Sequence, residues 1–237
     1  QIVKIMISNL FWNIKLYLLS FFSIKKVLSR YGIKLYSDFN DLTFRFYYLG
    51  SYGFFYSDFI KNYSLQFTFI DLGSNKGLYS ILAAKNSNCE KIFSFEPIPK
   101  TYEFLKKNVD LNNVENKCDL LNFAISDSCG ASEMHFNPNH SGSASLFSQL
   151  NHQRLDLVKV ETVNYEFLDS LCSSKCKNYL LKVDVEGAEM LVLKEIFKCQ
   201  FSKFITNIYY EVNIFWFHIP EIEKFLKKRG FNHFKKI

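Results

Sequence analysis

The chain has 237 residues, 48% of them hydrophobic and 18% aromatic, enough to bury the core of one sizeable domain with a small appendage and too apolar for a disordered polypeptide. Four prolines and nine glycines leave little room for a low-complexity linker, and no repeat of solenoid period runs through it. The net charge of +6 comes mostly from scattered lysines with short clusters at Lys25–Lys26, Lys106–Lys107 and Lys227–Arg229, which read first as solvated helix faces and second as a patch for nucleic acid or an anionic membrane.

The chain opens on Gln1 rather than Met, which reads as a fragment. Residues 1–66 form an expected helical, aromatic-rich cap. The most apolar piece, LYLLSFFSI at residues 16–24, is flanked by Lys15, Lys25 and Lys26 and is too short to span a bilayer. It reads as a packed or amphipathic helix, with membrane-surface association or a partner interface as the alternative. YLGSYGFFYSDFI is expected to be a loop within reach of a ligand, although core packing is the first reading for most of its rings.

From residue 67 onward short β-rich runs alternate with helix-like segments, the pattern of an α/β domain with a mostly parallel sheet flanked by helices. FTFIDLG (67–73) reads as a buried strand and GLYSILAAKNSN (77–88) as a helix. KIFSFEP (91–97) is the next strand, TYEFLKKNVDLNN (101–113) a helix, and CDLLNFAIS (118–126) a strand. Residues 131–162 break the rhythm: SGSAS, ASEMHF and DLVKVET suggest a hairpin-like insertion in an α/β domain of residues 67–237. A helix at 164–175, the strand YLLKVDV, the helix GAEMLVLKEIFK, the strand FITNIYYEV (204–212) and the helix IPEIEKFLKKRG follow.

Ligands of open parallel sheets bind beyond the carboxyl ends of the strands, and there stands DLGSNKG. Gly73 permits a sharp turn and Gly77 a close backbone approach at a helix start. The loop is neither a P-loop nor GxGxxG, since position 75 is Asn, and a plain strand-to-helix turn is its competing reading. FSFEP adds Glu96 at a strand end 19 residues beyond Gly77, near the spacing at which nucleotide-binding α/β domains place an acid for ribose hydroxyls.

Taken together, FIDLGSNKGLYS, FSFEPIPKTYEFLKKNVDLNN, NFAISD, SGSASL and LLKVDVEGAEMLVL resemble the FkbM family of S-adenosylmethionine-dependent methyltransferases, in the family's order from about residue 67 to 213. The resemblance implies a class I, Rossmann-like methyltransferase fold with a seven-stranded sheet, one strand antiparallel, and methyl transfer to a hydroxyl oxygen. It places Asp71, Gly73, Asn75 and Gly77 around the methionine part of the cofactor, Glu96 on the ribose hydroxyls and Ala124 of FAIS at the adenine. GFNHFKKI is expected to supply the sixth strand, leaving no residues for the antiparallel one.

Strand alternation puts Lys182, Asp184 and Glu186 on one side, with Gly187 opening the helix. Asp184, at the strand's carboxyl end, is the first candidate for accepting a hydroxyl proton, Glu186 the second acid and Lys182 their partner or a catalytic group. Asp184 and Glu186 holding a divalent cation is the less favoured alternative. Glu189 reads as a structural carboxylate on the first helical turn. Glu211 at the end of YYEV, Ser143, Ser145 and His140 are candidates for contacting the acceptor, and His140, His152 and His218 are alternative bases.

Six cysteines without CxxC pairs or histidines at ligand spacing make a zinc site improbable and fit reduced thiols in the cytosol. The expected protein is a cytoplasmic, at most membrane-peripheral, S-adenosylmethionine-dependent O-methyltransferase for a sugar hydroxyl of a surface glycan, glycolipid or glycosylated metabolite. Its rivals are a non-sugar small-molecule methyltransferase and a catalytically silent binding module of a glycan-assembly complex. A nucleic-acid acceptor is not expected, for lack of an NPPY-like motif and of a basic stripe.

Overall fold

The computed structural model describes residues 2–145, 155–172, 177–211 and 219–236, with the side chains of 2–7 and 145 excepted. Val212, His152, His218 and Cys176 lie outside the described residues, as does the side chain of Ser145. Elements follow in chain order as α1 (Ile2–Phe21), β1 (Lys26–Leu28), β2 (Lys34–Tyr36), α2 (Leu42–Leu49), α3 (Phe55–Lys61), β3 (Phe67–Leu72), α4 (Leu78–Lys85), β4 (Cys89–Phe95) and α5 (Pro99–Leu111). Then come β5 (Cys118–Leu121), β6 (Phe123–Ile125), β7 (Gly130–Asn137), β8 (His140–Ser145), β9 (Asp156–Val163), α6 (Tyr165–Leu171), β10 (Tyr179–Val183), α7 (Glu189–Ile196), β11 (Ile205–Tyr210) and α8 (Ile219–Lys227).

Five strands pair in the order β11-β10-β3-β4-β5, all parallel, so the expected α/β sheet is present. The order reverses direction at β3 and β10, the neighbours from which chain connections run to opposite edges, and such a switch point opens a crevice at the strands' carboxyl ends. Both central strands are buried along their whole length, which is why FTFIDL and YLLKV read as continuous apolar runs rather than alternating ones. Phe67, Phe69 and Leu180 face one core with α4 and α5; Ile70, Leu72, Leu181 and Val183 face the other with α7 and α8.

Residues 1–66 are not purely helical. They include the antiparallel β1–β2 hairpin, and Leu16, Val27, Phe44, Tyr48 and Ile60 join the same core as Phe67 and Phe69. The cap thus closes one face of the sheet, with Tyr56 stacked 3.9 Å from Tyr209 of β11.

Three expectations are corrected. CDLLNFAIS is two strands in two sheets: Asn122 turns its amide to the carbonyls of Glu96 and Pro97 at 2.8 and 2.9 Å, ending the β5 ladder, and β6 instead pairs β9. The helix after the acidic strand begins at Glu189, because Glu186 (φ 48°) and Gly187 (φ 103°) both turn left-handed and cannot continue α-helix. Residues 231–236 form no strand. The insertion is hairpin-like as expected, with β7 antiparallel to both β8 and β9.

Candidate active site

The glycine loop leaves β3 at Leu72, and its geometry is set by sterics. Gly73 sits at φ 74°, and a Cβ there would lie 1.8 Å from the carbonyl oxygen of Asp184, so only glycine lets the two loops cross. Gly77, at φ 89°, caps α4, and its missing side chain makes room for Leu105 of α5, whose Cδ1 would be 2.7 Å from a Cβ. The close approach expected at Gly77 is therefore to a neighbouring helix. Asn75, also left-handed at φ 49°, donates its N–H to Glu96 Oε2 at 2.9 Å.

Glu96 is buried at the end of β4, and its second oxygen accepts the N–H of Ile98 at 3.0 Å. Burial pushes its carboxyl up to about 7, against the pull of those two amides. Each oxygen keeps a lone pair free for another donor. Gly73, Asn75, Glu96 and, from β6, Ala124 line one cavity of about 800 Å³, counted with its open mouth.

Asp71 and Lys182 stand opposite each other in the β3–β10 register, both nearly inaccessible. Lys182 Nζ donates to the Gly73 carbonyl at 3.0 Å and lies 3.1 Å from Asp184 Oδ2 and 3.4 Å from Asp71 Oδ1. The last approach is an ion pair without hydrogen-bond geometry, as Asp71 Oδ1 is a buried oxygen with no hydrogen-bond partner; Oδ2 accepts from Ser80 at 2.6 Å. Burial alone would lower the Lys182 pKa, but Asp184 and Asp71 outweigh it and raise it, so the ammonium stays charged. Asp71, Gly77 and Lys182 do not line the cavity; Asp71 and Lys182 brace its floor from beneath.

Across from Glu96, Asp184, Glu186 and Glu211 line the same cavity. Burial and then the charges of Asp184 and Glu211 push Glu186 up to about 8; Asp184 and then burial push Glu211 up to about 7. Glu189 lies behind them, buried, its Oε1 accepting the N–H of Gly187 at 2.9 Å. Among the described residues no group of three or more His, Cys, Asp and Glu side chains is arranged to hold a metal ion.

The cap supplies the cavity's remaining wall with Thr43, Tyr47 and Tyr52; of the YLGSYGFFYSDFI stretch Tyr52 reaches it, while Phe55 onward is helix α3 rather than loop. Burial raises the pKa of both tyrosines, which keeps the phenols protonated. From β8 come Ser141, Gly142 and Ala144 rather than the expected His140 and Ser143. The Ser143 hydroxyl bonds back to the His140 carbonyl at 2.9 Å, and the His140 ring packs edge-on to Phe46, where burial lowers its pKa.

The sequence reading missed a buried hub beside the glycine loop. Lys76, within DLGSNKG, is 2% exposed and pairs with Asp41 at 2.6 Å and Asp38 at 2.7 Å, with the Phe104 ring 4.6 Å away. Asp41 caps α2 through the Phe44 N–H at 2.9 Å and accepts the Ser141 N–H at 2.7 Å. The Ser141 hydroxyl lies 2.9 Å from Asp41 Oδ2 and 3.1 Å from Asn75 Oδ1. One carboxylate thus joins cap, insertion and glycine loop. The cap role was visible in Asp41 preceding an apolar helical run; the partners were not.

The description "Methyltransferase FkbM domain" fits residues 71–232 of this chain. Methyltransferase sdnD of Sordaria araneosa is 28% identical over 69% of this chain and 73% of its own length. Methyltransferase 1 of Beauveria bassiana is 30% identical over 53% of this chain and 56% of its own. A putative rRNA methylase from Clostridium thermocellum, known by its crystal structure, superposes with a TM-score of 0.42 at 13% identity over 75% of this chain and 79% of that one.

Proposed function

The chain belongs to the FkbM family of methyltransferases, and from that premise we propose that it uses S-adenosylmethionine to methylate a hydroxyl oxygen of a sugar, in a surface glycan, glycolipid or glycosylated metabolite. The observation that carries the reading is one cavity with a nucleotide-type acid, Glu96, on one side and three carboxylates with two tyrosines on the other. When bound, the cofactor supplies a methyl group activated on a sulfonium sulfur. Everything else falls to the chain's own residues.

Glu96, held by two backbone amides, would accept hydrogen bonds from a pair of ribose hydroxyls on its remaining lone pairs, and Gly73 and Asn75 leave the space beside it open. On the acceptor side, a neutral hydroxyl must lose its proton as its oxygen forms the new bond. A carboxylate of the trio takes it, a contribution of about 10²- to 10⁴-fold. Glu186 and Glu211 suit this best, since burial and neighbouring carboxylates push them up to about 8 and about 7, so that each, once ionised, is a stronger base than an ordinary carboxylate; Asp184 is tied to Lys182 and sets their field. Tyr47 and Tyr52 offer ring faces and hydroxyl donors, which with carboxylate acceptors suit a polyol.

Labelled methyl transfer to a panel of glycans, glycolipids, small alcohols and nucleic acids tests the proposal. A labelled methyl ether on a sugar is the expected product. Incorporation only into nucleic acid or nitrogen would overturn it, and calorimetry finding no cofactor binding would reassign the chain as a silent module.

A further inference from the structure

The outer face of α1 has no role in the site. Its side chains Leu10, Phe11, Ile14, Leu18 and Phe21, and Phe22 just past its end, are all exposed, the last two at 71% and 66%. At 3.6 residues per turn they fall within one arc of roughly 120°. The opposite arc, Trp12, Leu16 and Leu19, packs on the core, and Trp12 meets Tyr48 edge-on at 5.3 Å. Arg30 pins the helix further, donating to Asn9 at 2.8 Å and lying 3.3 Å from Ser8. The apolar arc is therefore held outward.

Charge identifies what covers it. Residues 1–37 contain Lys4, Lys15, Lys25, Lys26, Arg30 and Lys34 and no Asp or Glu, so this segment carries the whole net charge of +6. The remaining chain has 23 basic and 23 acidic side chains and sums to zero. Lys25 and Lys26, both exposed, follow Phe21 and Phe22 in the stretch FFSIKK. A second copy laid on this face would bring like charges together, whereas an anionic surface attracts them. No helix of the described residues is long and apolar enough to cross a membrane. We propose that α1 docks flat on an anionic lipid bilayer, its exposed arc at the acyl boundary and Lys25 and Lys26 among the headgroups.

The test is sedimentation of the full chain with vesicles of phosphatidylcholine alone or of equimolar phosphatidylcholine and phosphatidylserine; methyl transfer is not read, so the result is independent of the proposed reaction. Binding to the anionic vesicles only, weakened by salt, is expected. Lys25→Gln with Lys26→Gln should lower the partition coefficient roughly 30-fold, and Phe21→Asp with Phe22→Asp should abolish binding while the urea midpoint stays unchanged, since both rings are exposed. Binding to neither vesicle, equal binding to both, or binding that survives the aspartates would overturn the proposal. So would a dimer by light scattering that the aspartates split, which would assign the face to a second copy.

Discussion

Replacing Asp41 by Asn is expected to unfasten the cap, the insertion and the glycine loop together. The carboxylate is inaccessible and serves four donors: Lys76 Nζ at 2.6 Å, Ser141 N–H at 2.7 Å, and Phe44 N–H and Ser141 Oγ at 2.9 Å. Asparagine keeps one acceptor oxygen and turns an NH₂ toward the remaining donors, leaving Lys76 undercompensated. Removing one partner of a buried ion pair costs about 3–5 kcal/mol. Asp38 stays 2.7 Å from Lys76 and is itself partly exposed, so the lower end, about 3 kcal/mol, applies. Urea denaturation at pH 7 reads this, and S-adenosylhomocysteine titration should show weaker binding because Asn75 loses its anchored neighbour Ser141. Burial raises the Asp41 pKa, but Lys76 and the hydrogen bonds lower it overall. Its stabilisation is thus present above the ordinary value of 3.8 and is lost as pH falls through the lower folded value, so the gap between wild type and variant should narrow there. A loss below about 1 kcal/mol at neutral pH, the size of an exposed pair, would refute the hub. So would additive effects of Asp41→Asn and Lys76→Met in a double-mutant cycle.

Gly73→Ala should prevent the glycine loop and the Asp184 loop from crossing and so abolish binding of S-adenosylhomocysteine; a variant that binds normally by calorimetry would contradict the 1.8 Å approach. Lys182→Met should strand the buried Asp71 carboxylate and cost about 3–5 kcal/mol in urea denaturation, with Asp71→Asn added to it restoring much of the loss. Glu96, Glu186 and Glu211 hold their protons to higher pH folded than unfolded, so the cofactor-free protein should lose stability as pH rises from about 4.5 through about 7 to 8; a Tm that climbs across that window would count against their burial. Turnover should rise over the upper part of the same range, and Glu186→Gln with Glu211→Gln should flatten that rise; an unchanged profile would return the base role to Asp184.

Much of this molecule was legible along the chain, and for local reasons. FTFIDL and YLLKV announced central strands because residues buried on both faces leave no polar alternation. DLGSNKG and FSFEP marked one side of the cavity because a strand-to-helix turn demands glycine where φ is positive, and a strand-end acid before proline has few structural uses. The acidic strand end was recognised as a rim, and Lys182 does partner Asp184, 3.1 Å away. Its contacts with the Gly73 carbonyl and with Asp71, a hundred residues away, were not legible along the chain. The boundary at Gly187 failed because Glu186 and Gly187 both turn left-handed just past the crossing of Asp184 with Gly73, which no local pattern shows.

Sequence alone determined the strand–helix alternation of β3 to α5 and of α6 to α8 and the place of the glycine loop, which rest on periodicity and on backbone sterics within a few residues, while five motifs in order carried the resemblance to the family. Only the tertiary structure decided that Asp41, Asn75, Lys76 and Ser141 form one hub, that Glu186 and Glu211 share a cavity with Glu96, and that the apolar arc of α1 faces outward. Those are properties of charges and surfaces brought together from distant parts of the chain. Their energies depend on burial and separation in space, which residue spacing along the chain does not carry.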